Sequence, residues 1–145
     1  MQIDFGNQSV ARFRQVFGAM FVETRELGDW PPWRSGVSGV DSVIELQQAE
    51  LIIGLGNDVR YPDRAGVSYR VCLYEPGGSE VGCWSASASQ HYQRAPFECV
   101  LLAGCIQPMV EVAARQAIAR IMLEMEQDPA IKAWAARLAR ERVSK

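Results

Sequence analysis

The stretch GVSYRVCLYEPGGSEVGCWSASAS, residues 66–89, decides the fold. Val67, Tyr69, Val71 and Leu73 alternate with Ser68, Arg70, Cys72 and Tyr74, the period of two that sends successive side chains to opposite faces of a strand. Turn formers interrupt at Glu75-Pro76-Gly77-Gly78-Ser79-Glu80, and alternation resumes from Val81 to Ser89. Two alternating runs about a Gly-Gly predict a β-hairpin. With Gly77 and Gly78 at the centre of a two-residue turn, Val71 faces Trp84, Tyr69 faces Ala86 and Leu73 faces Gly82, a coherent apolar face. Cys72 then faces Cys83 on the other, more polar face. A directly opposed pair at a non-hydrogen-bonded site is close enough for a disulfide, and a different turn register would remove it.

Upstream, residues 41–55 also run with period two. Val43, Glu45, Gln47, Ala49, Leu51, Ile53 and Leu55 share one face of a regular strand; Ile44, Leu46, Gln48, Glu50 and Ile52 share the other. Polar residues in the middle of both faces predict either a long bent strand or one with a bulge, and Gly54 and Gly56 suit a bulge or a strand end. On a regular strand Glu45 and Glu50 lie on opposite faces and form no carboxylate pair.

Helical signals flank this region. Residues 7–27 read as a helix capped by Asn7 or Ser9, with Val10, Phe13, Phe17, Met20 and Phe21 as its apolar stripe. Residues 28–36 break it. A second helix, about 107–127, carries Val110, Ala113, Ala114, Ala117, Ile118, Ile121 and Met125. A further short strand can precede it (97–102). Asp128-Pro129 restarts a helix, with Asp as cap and Pro at the first position, and Ile131, Trp134, Ala135 and Leu138 form its apolar face. Its remaining surface is basic (Lys132, Arg137, Arg140, Arg142, Lys145), which fits an anionic surface or a solvated helix end. The order predicts one α+β domain over 1–145: a small antiparallel sheet, long strand plus hairpin, with N-terminal and C-terminal helices packed on one face and residues 129–145 as a basic C-terminal helix.

A chain of 145 residues, 48% hydrophobic and 22% charged, can bury an ordinary globular core. The net charge of −2 gives no general attraction for nucleic acid. No apolar run approaches the roughly 20 residues of a membrane span. Met1-Gln2-Ile3-Asp4 is not a signal peptide, so the chain is read as cytoplasmic or as a mature piece with a start Met added. The cysteines at 72, 83, 99 and 105 include no C-x-x-C pair, which argues against structural zinc and a thioredoxin motif. No cofactor or metal is expected. Cys99 and Cys105 can close a small ring; four free thiols remain the alternative.

Two segments invite a functional reading. Trp30-Pro31-Pro32-Trp33 places two indoles in a rigid loop, suited to hot-spot contact with a protein partner or to folding back over the sheet. His91, the single histidine, follows the Ser85–Ser89 run, but a nucleophile–base pair also needs an orienting acid. The small residues of that run would let a helix or partner approach closely.

Gly54-Leu55-Gly56-Asn57 resembles the opening of peptidyl-tRNA hydrolases, with Tyr61 and Arg64 loosely in place and no histidine at the catalytic position. Residues 54–66 also resemble the opening of hydrogenase-maturation endopeptidases. That resemblance implies Asp63 as a metal ligand before Gly66, although Pro62 stands where the family has a second acid. In both families the motif ends a strand of a wound sheet and a helix follows, whereas here a strand pattern follows. Residues 5–127 as a whole resemble bacterial envelope lipoproteins that serve as accessory subunits of export and transport systems: Met20-Phe21 near a helix end, Asp41-x-Val43-Ile44, Tyr69 to Tyr74, the Gly77-Gly78 turn, Trp84 on the return strand, and an Ala-rich helix from Val110 to Met125. The lipidated cysteine is absent from this sequence. The resemblance implies a non-enzymatic binding domain of the periplasm or the periplasmic face of the outer membrane, acting through protein–protein contacts with an envelope assembly, in an oxidising space that suits paired cysteines. A metal-dependent endopeptidase using Asp63 and a cytoplasmic adaptor with free thiols are the alternatives.

Overall fold

A computed structural model describes residues 4–21, 23–25, 27, 39–54, 63–92 and 102–145, the side chains of 92 and 102–105 excepted. The elements run α1 (Phe5–Met20), β1 (Val43–Gly54), β2 (Asp63–Tyr74), β3 (Glu80–Tyr92), α2 (Leu102–Gln127) and α3 (Pro129–Val143). The three strands form one antiparallel sheet in the order β1-β2-β3. This is an α+β fold with all three helices contributing to the core on one face of the sheet.

The hairpin pairs as the alternation requires: Tyr69 faces Ala86, Val71 faces Trp84, Cys72 faces Cys83 and Leu73 faces Gly82. The turn differs. The Gly78 amide donates to the Glu75 carbonyl (2.9 Å), the Glu75 amide donates to the Ser79 carbonyl (2.8 Å), and Gly78 has φ 94°. The loop therefore has three residues, Pro76 to Gly78, with glycine in the left-handed position that closes such a loop. A three-residue loop moves the register by one, so Tyr74 faces Glu80. The ladder recovers between Leu73 and Tyr74, where Val81 is the extra residue on β3. The turn expectation was off by one residue, and this bulge cancels the error in the rest of the ladder.

β1 also carries a bulge, at Gln47, between the pairs Leu46–Val71 and Gln48–Arg70. The extra residue changes which side chains face the helices: Ile44 and Leu46 before it, Ala49, Leu51 and Ile53 after it. Each half of β1 thus presents its apolar set to the core, which no regular alternation could achieve. Glu45 and Glu50 consequently lie on the same open face, contrary to the regular-strand expectation. They are four strand steps apart, about 13 Å, too far to act as a pair.

The core centres on β2. Ala65, Val67, Tyr69, Val71 and Leu73 are all at most 1% exposed and meet Phe5, Phe13 and Phe17 of α1 and the Val110–Met125 stripe of α2. α1 starts at Phe5 rather than Asn7, because Asp4 is the cap: its carboxylate accepts from the Asn7 backbone amide (3.3 Å). It also stops at Met20. Its buried strip is Phe5, Ser9, Phe13 and Phe17, whereas Val10 and Met20 are about half exposed. Ser9 can replace an apolar residue there because its hydroxyl donates to the Phe5 carbonyl (2.7 Å) and accepts from the Tyr69 hydroxyl (3.0 Å). α2 starts at Leu102 rather than near 107 and carries Pro108 in its interior; of the expected strand 97–102 only Leu102 lies among the described residues, and it is helical. α3 begins as expected: Asp128 caps it through the Ala130 amide (2.8 Å), and its other carboxylate oxygen accepts from the Trp84 indole (2.8 Å).

Candidate functional site

The sheet face away from the helices is the candidate site, because it carries the disulfide and the packing of residues that flank the tryptophan segment. The first feature is the disulfide. Cys72 and Cys83 are bonded, 11 residues apart in sequence with Cα atoms 4.1 Å apart, the close spacing of a non-hydrogen-bonded pair. Cys72 is fully buried. Around it Val43 and Tyr74 form a small second cluster, against which Leu27, Val40 and Cys83 pack.

The second feature is the tryptophan segment. Trp30, Pro31, Pro32 and Trp33 lie outside the described residues, as does Cys99. Their flanks do not: Leu27 before the segment and Val40 after it both pack on the disulfide cluster. The chain therefore leaves and returns at one end of the open face. Two ion pairs hold nearby chain to α3, Arg142 with Asp41 and Arg137 with Glu75 of the turn. Two of the basic residues of the C-terminal helix are thus engaged within the chain.

Beyond the disulfide the open face is polar. Gln47, the bulged residue, donates to the Tyr74 hydroxyl (2.6 Å) and accepts from Arg70 Nε (3.1 Å). Ser68 and Ser87 hydroxyls are 2.8 Å apart across β2 and β3. Arg64 and His91 face each other at the far end, and both are exposed. Ser85, Ser87 and Ser89 share this face with His91. Ile52 is a single exposed apolar residue there (57%).

For metal chemistry, the Cys72 and Cys83 sulfurs and a Glu80 carboxylate oxygen lie within 4.8 Å of one another. With the sulfurs bonded to each other, no thiolate is offered to an ion. Asp63 is the first residue of β2, 2% exposed, opposite Tyr92, and it has interaction partners. Gly54 ends β1, and residues 55–62 lie outside the described residues. Because β1 and β2 are antiparallel neighbours, the segment between them does not sit in the wound-sheet context that the endopeptidase and hydrolase resemblances imply. The Cys105 side chain lies outside the described set, so a Cys99–Cys105 ring has no structural account.

Sequence reasoning missed two sets of contributors to this face. Gln48, Glu50 and Ile52 join Glu45 and Gln47 on it only through the bulge, which the polar run Glu45-Leu46-Gln47-Gln48 signalled without fixing its position. Leu27 and Val40 lie in regions without periodicity and carry no sequence signal for their contact with Cys72.

No protein-family model, no curated protein and no solved structure matches the chain.

Proposed function

We propose that this chain is a non-enzymatic binding domain of the bacterial cell envelope, an accessory subunit acting through protein–protein contacts. The contact segment is Trp30-Pro31-Pro32-Trp33, whose flanking residues Leu27 and Val40 pack at the disulfide end of the open face. The observation that carries the reading is the bonded Cys72–Cys83 pair together with the packing of Leu27 and Val40 upon it. Disulfides persist in oxidising compartments and are rare in reducing ones. A disulfide under both ends of an aromatic, proline-bearing segment is a rigid mount for it. Rigid aromatic anchors lose little conformational entropy on binding and suit hot spots.

The test has two arms, both in the native host. A thiol count on the unfolded, unreduced protein should find Cys72 and Cys83 blocked and joined in one peptide pair. A photo-crosslinking residue at position 30 or 33 should give one adduct with an envelope protein, and Trp30→Ala with Trp33→Ala should abolish co-purification of that protein. Free thiols at 72 and 83 would remove the envelope assignment; an unchanged partner in the double variant would remove the contact segment.

A further inference from the structure

β3 is an edge strand, and its outer side meets no further strand among the described residues. Its free backbone groups can be identified. Cys72 and Cys83 are a non-hydrogen-bonded pair by their Cα spacing. Pairs of the two kinds alternate along an antiparallel ladder, so Arg70–Ser85, Ser68–Ser87 and Gly66–Ser89 are of the same kind. The amides and carbonyls of Ser85, Ser87 and Ser89 accordingly point away from β2. One of them shows it directly: the Ser87 carbonyl accepts from Arg120 Nη1 of α2 at 2.5 Å.

Edges of this length are normally blunted by charge, proline or a bulge. β1, the other edge, has a bulge at Gln47 between Glu45 and Glu50. β3 has neither charge nor proline from Val81 to Gln90, and its bulge is confined to the hairpin end. The side chains also select the occupant. Ser85-Ala86-Ser87-Ala88-Ser89 reads the same in both directions, so pairing with a second copy about Ser87 sets serine against serine and alanine against alanine, small and uncharged at each position.

We propose that β3 pairs antiparallel with β3 of a second copy of this chain, about a two-fold axis through Ser87, to give one continuous sheet. Ser85 then faces the partner's Ser89 and Ala86 faces the partner's Ala88, with no like charges opposed. α2 adds exposed apolar surface beside the same edge. Val112, Gln116, Arg120 and Leu123 form one strip, in which Val112 is 44% and Leu123 56% exposed. The strip is tied beside β3, since Gln90 Nε2 donates to Gln116 Oε1 (3.0 Å) and Arg120 reaches Ser87. Exposed Val112 and Leu123 flank these two ties, so the pairing sets apolar surface of α2 beside the joined edges. In the single chain Arg120 occupies the carbonyl that the partner's amide takes over on pairing. The dimer and the tryptophan contact segment stand or fall separately.

Sedimentation over a concentration series tests it. The wild-type chain should sediment as a dimer of 16.1 kDa subunits. Ser87→Pro removes only an outward amide, a position where an edge strand accepts proline. Ser85→Glu places a gatekeeper charge on the same edge without touching the backbone, and sets it opposite Arg70 of β2. Each should raise the dimer dissociation constant by more than about tenfold, with the far-ultraviolet spectrum of the separated chain unchanged. Should Ser87→Pro fail to fold, Ser85→Glu decides alone. A wild-type chain that stays monomeric at every concentration overturns the proposal and leaves the edge to a strand of another protein. A dimer indifferent to both changes overturns it too.

Discussion

Gly82 shows how a single residue fixes the end of the core. A Cβ at this position would lie 2.8 Å from Trp84 Cζ2 and 3.0 Å from Cη2, closer than carbon atoms approach. The glycine is there because the indole lies over it, and the indole is held in turn by its hydrogen bond to Asp128 at the α3 cap. Gly82→Ala must push a rigid ring off its seat. The expected cost is about 1–3 kcal/mol, the range for overpacking, read as a lower urea midpoint with an unchanged m-value. Tyr69 makes the other residue-scale prediction. It is 1% exposed, and burial pushes its phenol above the ordinary 10.0, with the charge of Arg12 pulling the other way. The fold therefore favours the neutral phenol. That contribution is complete below pH 10.0 and is lost as pH rises from there through the folded value. Urea midpoints should show a constant gap between the wild type and Tyr69→Phe up to about pH 10, with the wild type losing stability relative to the variant above it. A gap independent of pH would contradict the burial of the hydroxyl.

At the scale of the element, the bulge in β1 leads to an unusual expectation. Removing Gln47 leaves Leu46 opposite Val71 and Gln48 opposite Arg70, now as adjacent pairs of a regular ladder. Ile44, Leu46, Ala49, Leu51 and Ile53 all keep the core face. The deletion should fold, at a cost of about 1–3 kcal/mol for the lost bonds of Gln47 to Tyr74 and Arg70. Deleting Ile52 instead cannot be absorbed in this way. With the ends of the strand held, it would turn Gln48 and Glu50 toward the core in place of Ala49 and Leu51, and loss of cooperative unfolding is expected. Chemical denaturation of the two variants side by side separates these outcomes. The bulge also shows what could be read beforehand. The period of two gave the strands and the turn residues gave the hairpin, but the Cys72–Cys83 pair came out right only because the bulge at Val81 offsets a one-residue error in the turn. A bulge depends on what both halves of a strand must bury, a tertiary demand that no local pattern locates. Ser9 in the α1 core strip is similar: its polarity misled until Tyr69, sixty residues away, supplied the partner. The open face was the least legible, since Leu27 and Val40 reach Cys72 from segments without periodicity.

Across the whole molecule, stability is unevenly spread. β2 lies between two strands and under two helices, and α2 contributes Val110, Ala113, Ala114, Ala117 and Ile121, each at most about 1% exposed. α3 is attached more thinly. One buried residue, Trp134, and two partly buried ones, Ile131 and Leu138, hold it to the core. Its ion pairs, Arg137 with Glu75 and Arg142 with Asp41, are substantially exposed on both sides, and pairs of that kind contribute about 0–1 kcal/mol and are screened by salt. Asp128 adds the cap and the Trp84 bond. α3 should therefore open as a unit below the free energy of global unfolding, with α1, α2 and the sheet still formed. Native-state hydrogen exchange would show it: amides from residue 133 to 143 should exchange through an opening of lower free energy than those of β2 and the middle of α2. Trp134→Ala should lower that opening further and leave β2 protection almost unchanged, whereas added salt should alter both little. Equal protection across α3 and β2 would mean that the last helix belongs to the same cooperative unit, and that Trp134, rather than marking a satellite, is part of what the sheet needs in order to fold.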